Sequence, residues 1–242
     1  MIRGIYTAAS GMASQMRAQD ISANNLANVN TTGYKKDVPA LAAFSELFLQ
    51  RFNDGAPGVL GIRPWPVPLG TLGTGVWVEE VATDMKQGSL RETGRELDFA
   101  LRGDGFFVIA TPGGRRYTRN GSFNINAEGQ LVTAAGHRVL GRDGASLYHD
   151  DEDLMDELLV VDFAPGTVLT KEGESLYLST EEGQAVADPG IVSGTLEESN
   201  VDVVTAMVEM IDVMRAYEAN QKVVQVQDQT LEKTVNEVGR VG

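Results

Sequence analysis

The sequence predicts an α+β protein. Its centre reads as a β-rich domain, an antiparallel sandwich or irregular barrel, and its N- and C-terminal helices pair as a coiled-coil-like inner domain. Three observations predict this. Apolar or small residues recur at seven-residue spacing near both ends, over 1–30 and 200–238. Between them, short alternating runs are separated by Gly-rich turns. The two junctions carry helix-stopping and helix-starting residues.

In the first helix Ile2, Ala9, Met16 and Ala23 form one row, and Ile5, Met12 and Leu26 most of another, with Gln19 breaking it. Such a pair of rows buries one helical face against another helix. The helix is expected to end in the Asn- and Thr-rich stretch Ala23–Tyr34, where side chains compete for backbone hydrogen bonds and Gly33 can adopt the left-handed conformation. Residues 1–34 are therefore assigned to the inner helical domain and 35–75 to a Pro/Gly-rich connector arm. In the arm, Leu41–Phe52 reads as a short helix, Asn53–Gly58 as its break, and Pro64, Pro66 and Pro68 as an extended edge.

Residues 76–198 form the predicted β domain. Leu97–Leu101 alternates as a strand with one buried face, and Gly103-Asp104-Gly105 turns into Phe106–Ala110. Runs at Arg116–Thr118, Ser122–Ile125, Leu131-Val132 and Val139-Leu140 follow between further turns. The last helix, within 199–242, is announced by Ser199 three residues before Asp202, a capping-box arrangement. Val204, Met207, Ile211 and Met214 mark its apolar row, which Val224, Leu231, Val235 and Val238 resume with a phase shift near Tyr217.

Both helices thus carry candidate assembly residues: Ile2, Ile5, Ala9, Met12, Met16, Leu26, Val204, Met207, Ile211, Met214, Val224 and Leu231. A lone pair of such helices would leave apolar atoms exposed, including Met210 and Val213, which is the mark of an assembly surface. Residues 1–36 carry four basic and one acidic residue, and 199–242 four basic and seven acidic. Opposite charge adds to the expected pairing of the two ends.

The formal net charge of −14 argues against nucleic acid as a partner. With no cysteine, disulfides, thiolate chemistry and Cys-ligated zinc are excluded. No apolar run is long enough to insert in a membrane, and the N-terminus lacks the apolar core of a secretory signal. Gly103-Asp104-Gly105 reads as a turn, since no helix follows to cradle a phosphate. His137 and His149 have no metal-ligand spacing, and the acidic stretch from His149 to Glu157 lacks the spaced ligands of a calcium loop. Arg115–Arg119 reads as hairpin packing or intersubunit ion pairs. No catalytic, cofactor or metal residue is assigned.

Several stretches resemble one family. Ala23-Asn24-Asn25-Leu26-Ala27-Asn28-Val29-Asn30-Thr31-Thr32-Gly33-Tyr34-Lys35 resembles the N-terminal signature of bacterial flagellar rod and hook proteins. Leu97–Val108 and Tyr117–Phe123 are similar to its central motifs, and Leu196–Asp202 and Arg215–Gln221 to its C-terminal ones, in the family's order. The chain's length resembles rod subunits more than the longer hook proteins. The full run from Leu97–Leu101 to Gly136–Gly141, and the direct passage from Gly194 to Ser199-Asn200-Val201, are closest to the proximal-rod member, which the resemblance favours, while Leu72–Val76 is reminiscent of the distal one. The resemblance implies a structural subunit without enzyme activity or cofactor. It implies a helical homopolymer that contacts neighbouring rod and hook proteins and is exported by the flagellar type III apparatus into the cell envelope. The alternatives are a hook-type axial protein, or an extracytoplasmic β-domain binding protein or enzyme with helical oligomerisation arms.

Overall fold

The computed structural model describes residues 2–51, 67–149, 154–164, 166–173 and 175–238. A 26-residue helix over Ile2–Ala27 opens the chain and a 36-residue helix over Val203–Val238 closes it. The second is about 54 Å long at about 1.5 Å per residue. Between them run β1 (Asp37–Ala43), β2 (Leu47–Arg51), β3 (Val67–Leu72), β4 (Val76–Thr83), β5 (Leu90–Glu92), β6 (Phe99–Leu101), β7 (Phe106–Thr111), β8 (Gly114–Thr118) and β9 (Asn124–Ile125). They are followed by β10 (Leu131–Val132), β11 (Arg138–Val139), β12 (Val160–Asp162), β13 (Leu169–Lys171), β14 (Leu176–Ser179), β15 (Gln184–Ala185), β16 (Ile191–Ser193) and β17 (Thr195–Glu197). A single helical turn spans Leu154–Glu157.

The chain divides into two compact units. One holds residues 1–24, 37–82 and 204–242; the other holds 25–36 and 83–203. These limits differ from 34, 75 and 198. The helix exit at 25–36 belongs with the β unit, and the arm with β4 belongs with the helices. Over the described residues 41–51, the expected short helix is replaced by the end of β1 and by β2, since alternation of small and apolar residues can serve either period when the run is short. β1 pairs with β4, and β2 with β3 through a bulge at Leu49/Gln50. The Asn53–Gly58 break, Pro64 and Pro66 lie outside the described residues.

In the β unit, nine strands among the described residues form one antiparallel sheet, in the order β13-β14-β8-β7-β11-β10-β9. β12 is shared between β7 and β15. The central strand is β7, flanked by β8 on one edge and by β11 and β12 on the other. Its alternate side chains enter two cores. Phe107 and Ile109 join Phe99, Phe123, Leu131 and Leu158 on one face, while Phe106 and Val108 join Tyr117, Val161 and Tyr177 on the other. A strand apolar on both faces has to be covered on both. β6 also differs from the one-faced reading: Phe99, Ala100 and Leu101 are all buried, because β16 pairs along it and the core closes over it. Buried Asp98 just before it accepts a hydrogen bond from the Thr93 hydroxyl at 2.6 Å.

In the helical unit, the N-terminal helix buries small residues. Ala8, Gly11, Ser14 and Ala18 are enclosed, whereas Ala9 and Met16 point outward. A Cβ on Gly4 would fall 2.1 Å from Gln227 Nε2, and one on Gly11 2.9 Å from Asn220 Nδ2. The two helices therefore touch at these points and run antiparallel, seven residues forward on one matching seven back on the other. The glycines leave room for these two amide side chains to pack against the helix backbone. Ser14 donates to Val76 O at 2.9 Å and Thr7 to Thr74 O at 3.2 Å, tying the helix to the start of β4 and the residues before it.

Phe107 is wholly buried and meets the Phe123 ring edge-on with centroids 5.5 Å apart. Phe107→Ala is expected to destabilise the β unit by about 3–5 kcal/mol through lost contacts and the cavity left behind, read as a shift in its urea unfolding midpoint.

Candidate assembly interface

The C-terminal helix carries two apolar rows, one turned inward and one outward. Ala206, Met210, Val213, Tyr217, Asn220, Val224, Gln227 and Leu231, with Ala216 beside Tyr217, are its less exposed positions, and the eight form a row spaced four and three residues apart. Asn220 and Gln227 of this row touch the glycines of the other helix. No phase shift occurs near Tyr217. It arises only when the outward row over Val204–Met214 is joined to the inward row at Val224 and Leu231. Met210 and Val213, expected to be left exposed, are half-buried for the same reason.

The predicted assembly residues consequently separate. Ala9, Met16, Val204, Met207, Ile211 and Met214 are exposed, with Val204 at 70%. Ile5, Met12, Leu26, Val224 and Leu231 are half-buried. The side chain of Ile2 is outside the described set. The structure brings Val224 and Leu231 onto the intrachain seam and leaves the Val204–Met214 row uncovered.

The charge split also changes. Of the four basic residues in 1–36, Lys35 and Lys36 lie beyond the helix and inside the β unit, leaving the helix with Arg3, Arg17 and Asp20. Lys36 faces Asp84 at 3.9 Å. The C-terminal helix keeps six acidic and three basic residues. The helix charges remain opposite in sign, but less so than the termini as a whole suggest.

Sequence reading missed a cluster in the β unit. Lys35, Arg119 and Glu197 are almost fully buried, at 1%, 3% and 1% side-chain exposure. Lys35 Nζ donates to Glu197 Oε1 and, at 2.7 Å, to Lys86 O. Glu197 Oε1 also accepts from Gly88 N at 2.9 Å, and Oε2 lies 3.4 Å from Arg119 Nη1. Arg119 donates to Gly103 O at 2.8 Å and stands 5.2 Å over the Phe106 ring. Burial holds the Lys35 ammonium below the ordinary lysine value, and the Glu197 hydrogen bond and charge oppose that shift.

The cluster fastens both helix junctions. Gly33 N donates to Glu197 O at 2.8 Å, and Lys36 N to Asn200 Oδ1 at 2.7 Å. Asn200 Nδ2 donates to Asp84 O at 2.8 Å. The Lys171 ammonium reaches Lys35 O at 2.6 Å and sits over the Tyr34 ring, whose hydroxyl donates to Asn25. Gly33 does not end the first helix, which stops six residues earlier. Its φ of +66° and a Cβ position 2.5 Å from Asn120 N make it a close-approach glycine. Nor does Ser199 cap the last helix. Its hydroxyl accepts from Val201 N, and Asp202 occupies the position before Val203. The one signal for the cluster was a charged residue in each of the N-terminal, central and C-terminal motifs, inside otherwise apolar or turn-forming stretches.

The arginine run divides as well: Arg116 pairs with Glu172, and Arg119 with Glu197. Among the described residues there is no group of three potential metal ligands and no helix long and apolar enough to cross a membrane. Asp150–Asp153 lie outside the described residues.

These features are those of a structural subunit: paired terminal helices with an outward apolar row in one unit, and a β unit built round buried charges in the other. The N-terminal region, residues 5–35, matches the family model described as flagella basal body rod protein. Residues 192–237 match the flagellar basal body rod FlgEFG protein C-terminal model. The chain is 30% identical to the flagellar hook-basal body complex protein FlhO of Bacillus subtilis, over the whole of both chains. It is 34% identical to the flagellar basal-body rod protein FlgG of Borreliella burgdorferi, over 96% of this chain and 97% of that one. It is 33% identical to the flagellar basal-body rod protein FlgF of Caulobacter vibrioides, over 100% and 99%. The chain belongs to the flagellar basal-body rod family, which is a family of structural proteins and not of enzymes.

Removing only the anion should expose the cluster's cost. Glu197→Gln leaves Lys35 and Arg119 buried without a counter-charge and is expected to cost about 3–5 kcal/mol, read by urea denaturation. Lys35→Met should cost less, because Glu197 keeps Arg119. Between the folded Lys35 pKa and the unfolded value of 10.5 the unfolded chain binds more protons. Lys35 therefore makes unfolding free energy rise with pH across that window, and Lys35→Met should remove this rise.

Proposed function

We propose that this chain is a structural subunit of the bacterial flagellar basal-body rod. It polymerises outside the cytoplasmic membrane into a hollow axial filament, after export by the flagellar apparatus, and meets neighbouring rod and hook proteins at the ends of its own stack. The observation that carries the polymer is the uncovered row Val204, Met207, Ile211 and Met214, an apolar face left over after the intrachain seam is complete. Ala9 and Met16, with Ile5 and Met12 at the margin, supply a second such face on the N-terminal helix.

Contacts between unlike faces repeat without closing and build a helical filament. The outward faces also differ in charge. Arg3 and Arg17 accompany the N-terminal one, while Glu209, Asp212 and Glu218 lie on the C-terminal helix. Each copy therefore offers both partners of the contact.

Ile211→Asp places a charge in the outward row and no atom in either core. It should reduce incorporation at least about tenfold while leaving the circular dichroism and melting of the purified chain unchanged. The readout is the amount of chain in isolated basal bodies by immunoblot. Normal incorporation would refute the outward row as an assembly face. Immunogold labelling of the same particles tests the location: label along the rod supports the reading, and unlabelled rods refute it.

A further inference from the structure

The chain has no cysteine and eight methionines, so its sulfur chemistry falls on thioethers alone. A thioether reacts with peroxide where solvent reaches it, and the fold decides which sulfurs those are. Met16, Met155, Met207 and Met214 are exposed, at 45% to 54% of their surface. Met12, Met85 and Met210 are half-buried. Met155 sits on the single helical turn of the β unit, and the other three exposed methionines lie in the helical unit. Met207 and Met214 belong to the outward row, seven residues apart with Ile211 between them. Met210, between the same two in sequence, lies on the inward row. One helix thus holds sulfurs of both kinds within eight residues.

Hydrogen peroxide oxidises a thioether in one two-electron step. The sulfur lone pair attacks a peroxide oxygen, an S–O bond forms and the O–O bond breaks. The leaving hydroxide takes the proton from the transferred oxygen and departs as water. The product sulfoxide puts a strong dipole and a hydrogen-bond acceptor where an apolar, adaptable group stood. On the free chain this change is tolerated, because both side chains already face water. Against an apolar neighbour it is not, since an acceptor taken out of water without a donor is costly.

We propose that Met207 and Met214 are sulfoxidation sites of the unassembled chain, and that their sulfoxides bar it from the rod. The inference rests on the polymer reading above and gives its outward row a sensitivity to peroxide. An incorporated subunit covers both sulfurs against its neighbour and escapes the reaction. The modification therefore acts on free subunits and spares finished rods. Reduction of the sulfoxide restores the thioether, and with it a subunit able to assemble.

Dilute purified full-length chain and isolated basal bodies are exposed to the same concentration of hydrogen peroxide. Oxidation at each methionine is followed by peptide mass spectrometry. In the purified chain Met207 and Met214 should oxidise several-fold faster than Met210, and in basal bodies both should slow at least about tenfold. Met207→Gln/Met214→Gln imitates the polarity of the sulfoxides, and Met207→Leu/Met214→Leu removes the sulfurs while keeping apolar bulk. The Gln pair should incorporate at least about tenfold less than the Leu pair, with both purified variants equally folded by circular dichroism. If Met207 and Met214 react no faster than Met210 in the purified chain, or the Gln pair incorporates as well as the Leu pair, the sulfoxidation proposal falls and the polymer reading stands. If both sulfurs react as fast in basal bodies as in the purified chain, the outward row is not covered in the rod, and both fall.

Discussion

The β unit is arranged around three charges that water does not reach. Glu197 stands between Lys35 and Arg119; Lys35 also donates to Lys86 O and Arg119 to Gly103 O, while Arg119 Nε has no partner among the described residues. Taking charges out of water costs several kcal/mol each unless charge and hydrogen-bonding capacity are both met. The solution here draws on every part of the β unit. The exit of the first helix supplies Lys35, the β8 end supplies Arg119, and β17, just before the last helix, supplies Glu197. Within this unit, neither the 25–36 segment nor β17 can move without uncovering a charge. A uniform apolar junction of the same size would slide more easily, because apolar contacts have no direction.

The helical unit solves a different problem with the same seven-residue period. Its inner contact sets Gly4 and Gly11 against the Gln227 and Asn220 side chains, and Ala8 and Ala18 are buried on the same helix. Its bulkier residues are displaced to the flank and the outside. A single chain thus satisfies its own seam with small residues and keeps Val204, Met207, Ile211 and Met214 uncovered. Large apolar rows facing water are unusual on a monomer and are expected on a protomer. The strands of the arm extend this logic, with Phe44 stacked on Trp77 at 6.4 Å while Phe48 projects freely.

Legibility followed how local each interaction is. The helices, and most strands from β6 to β11, could be read because period and turn residues act over a few neighbours. Phe106–Ala110 announced a strand, and its two-faced burial followed from having no polar side. The arm was misread because Leu41–Phe52 satisfies a helical and an extended pattern equally over so few residues. The cluster was not legible as a cluster. Lys35 and Glu197 are 162 positions apart, and nothing near either one shows that the other is its partner.

From the sequence alone came the α+β class, the helical ends, the antiparallel centre, the absence of cysteine chemistry and the family motifs in order. These depend on composition and short-range periodicity, which survive without knowledge of contacts. Only the tertiary structure decided which heptad row faces inward, because every row on a helix repeats at seven and the choice depends on the partner's shape. It also decided that Gly33 serves a close approach and not a helix end, and that 25–36 belongs with the β unit. Burying Lys35 is favourable only where a distant carboxylate meets it, and that meeting exists only in the folded chain.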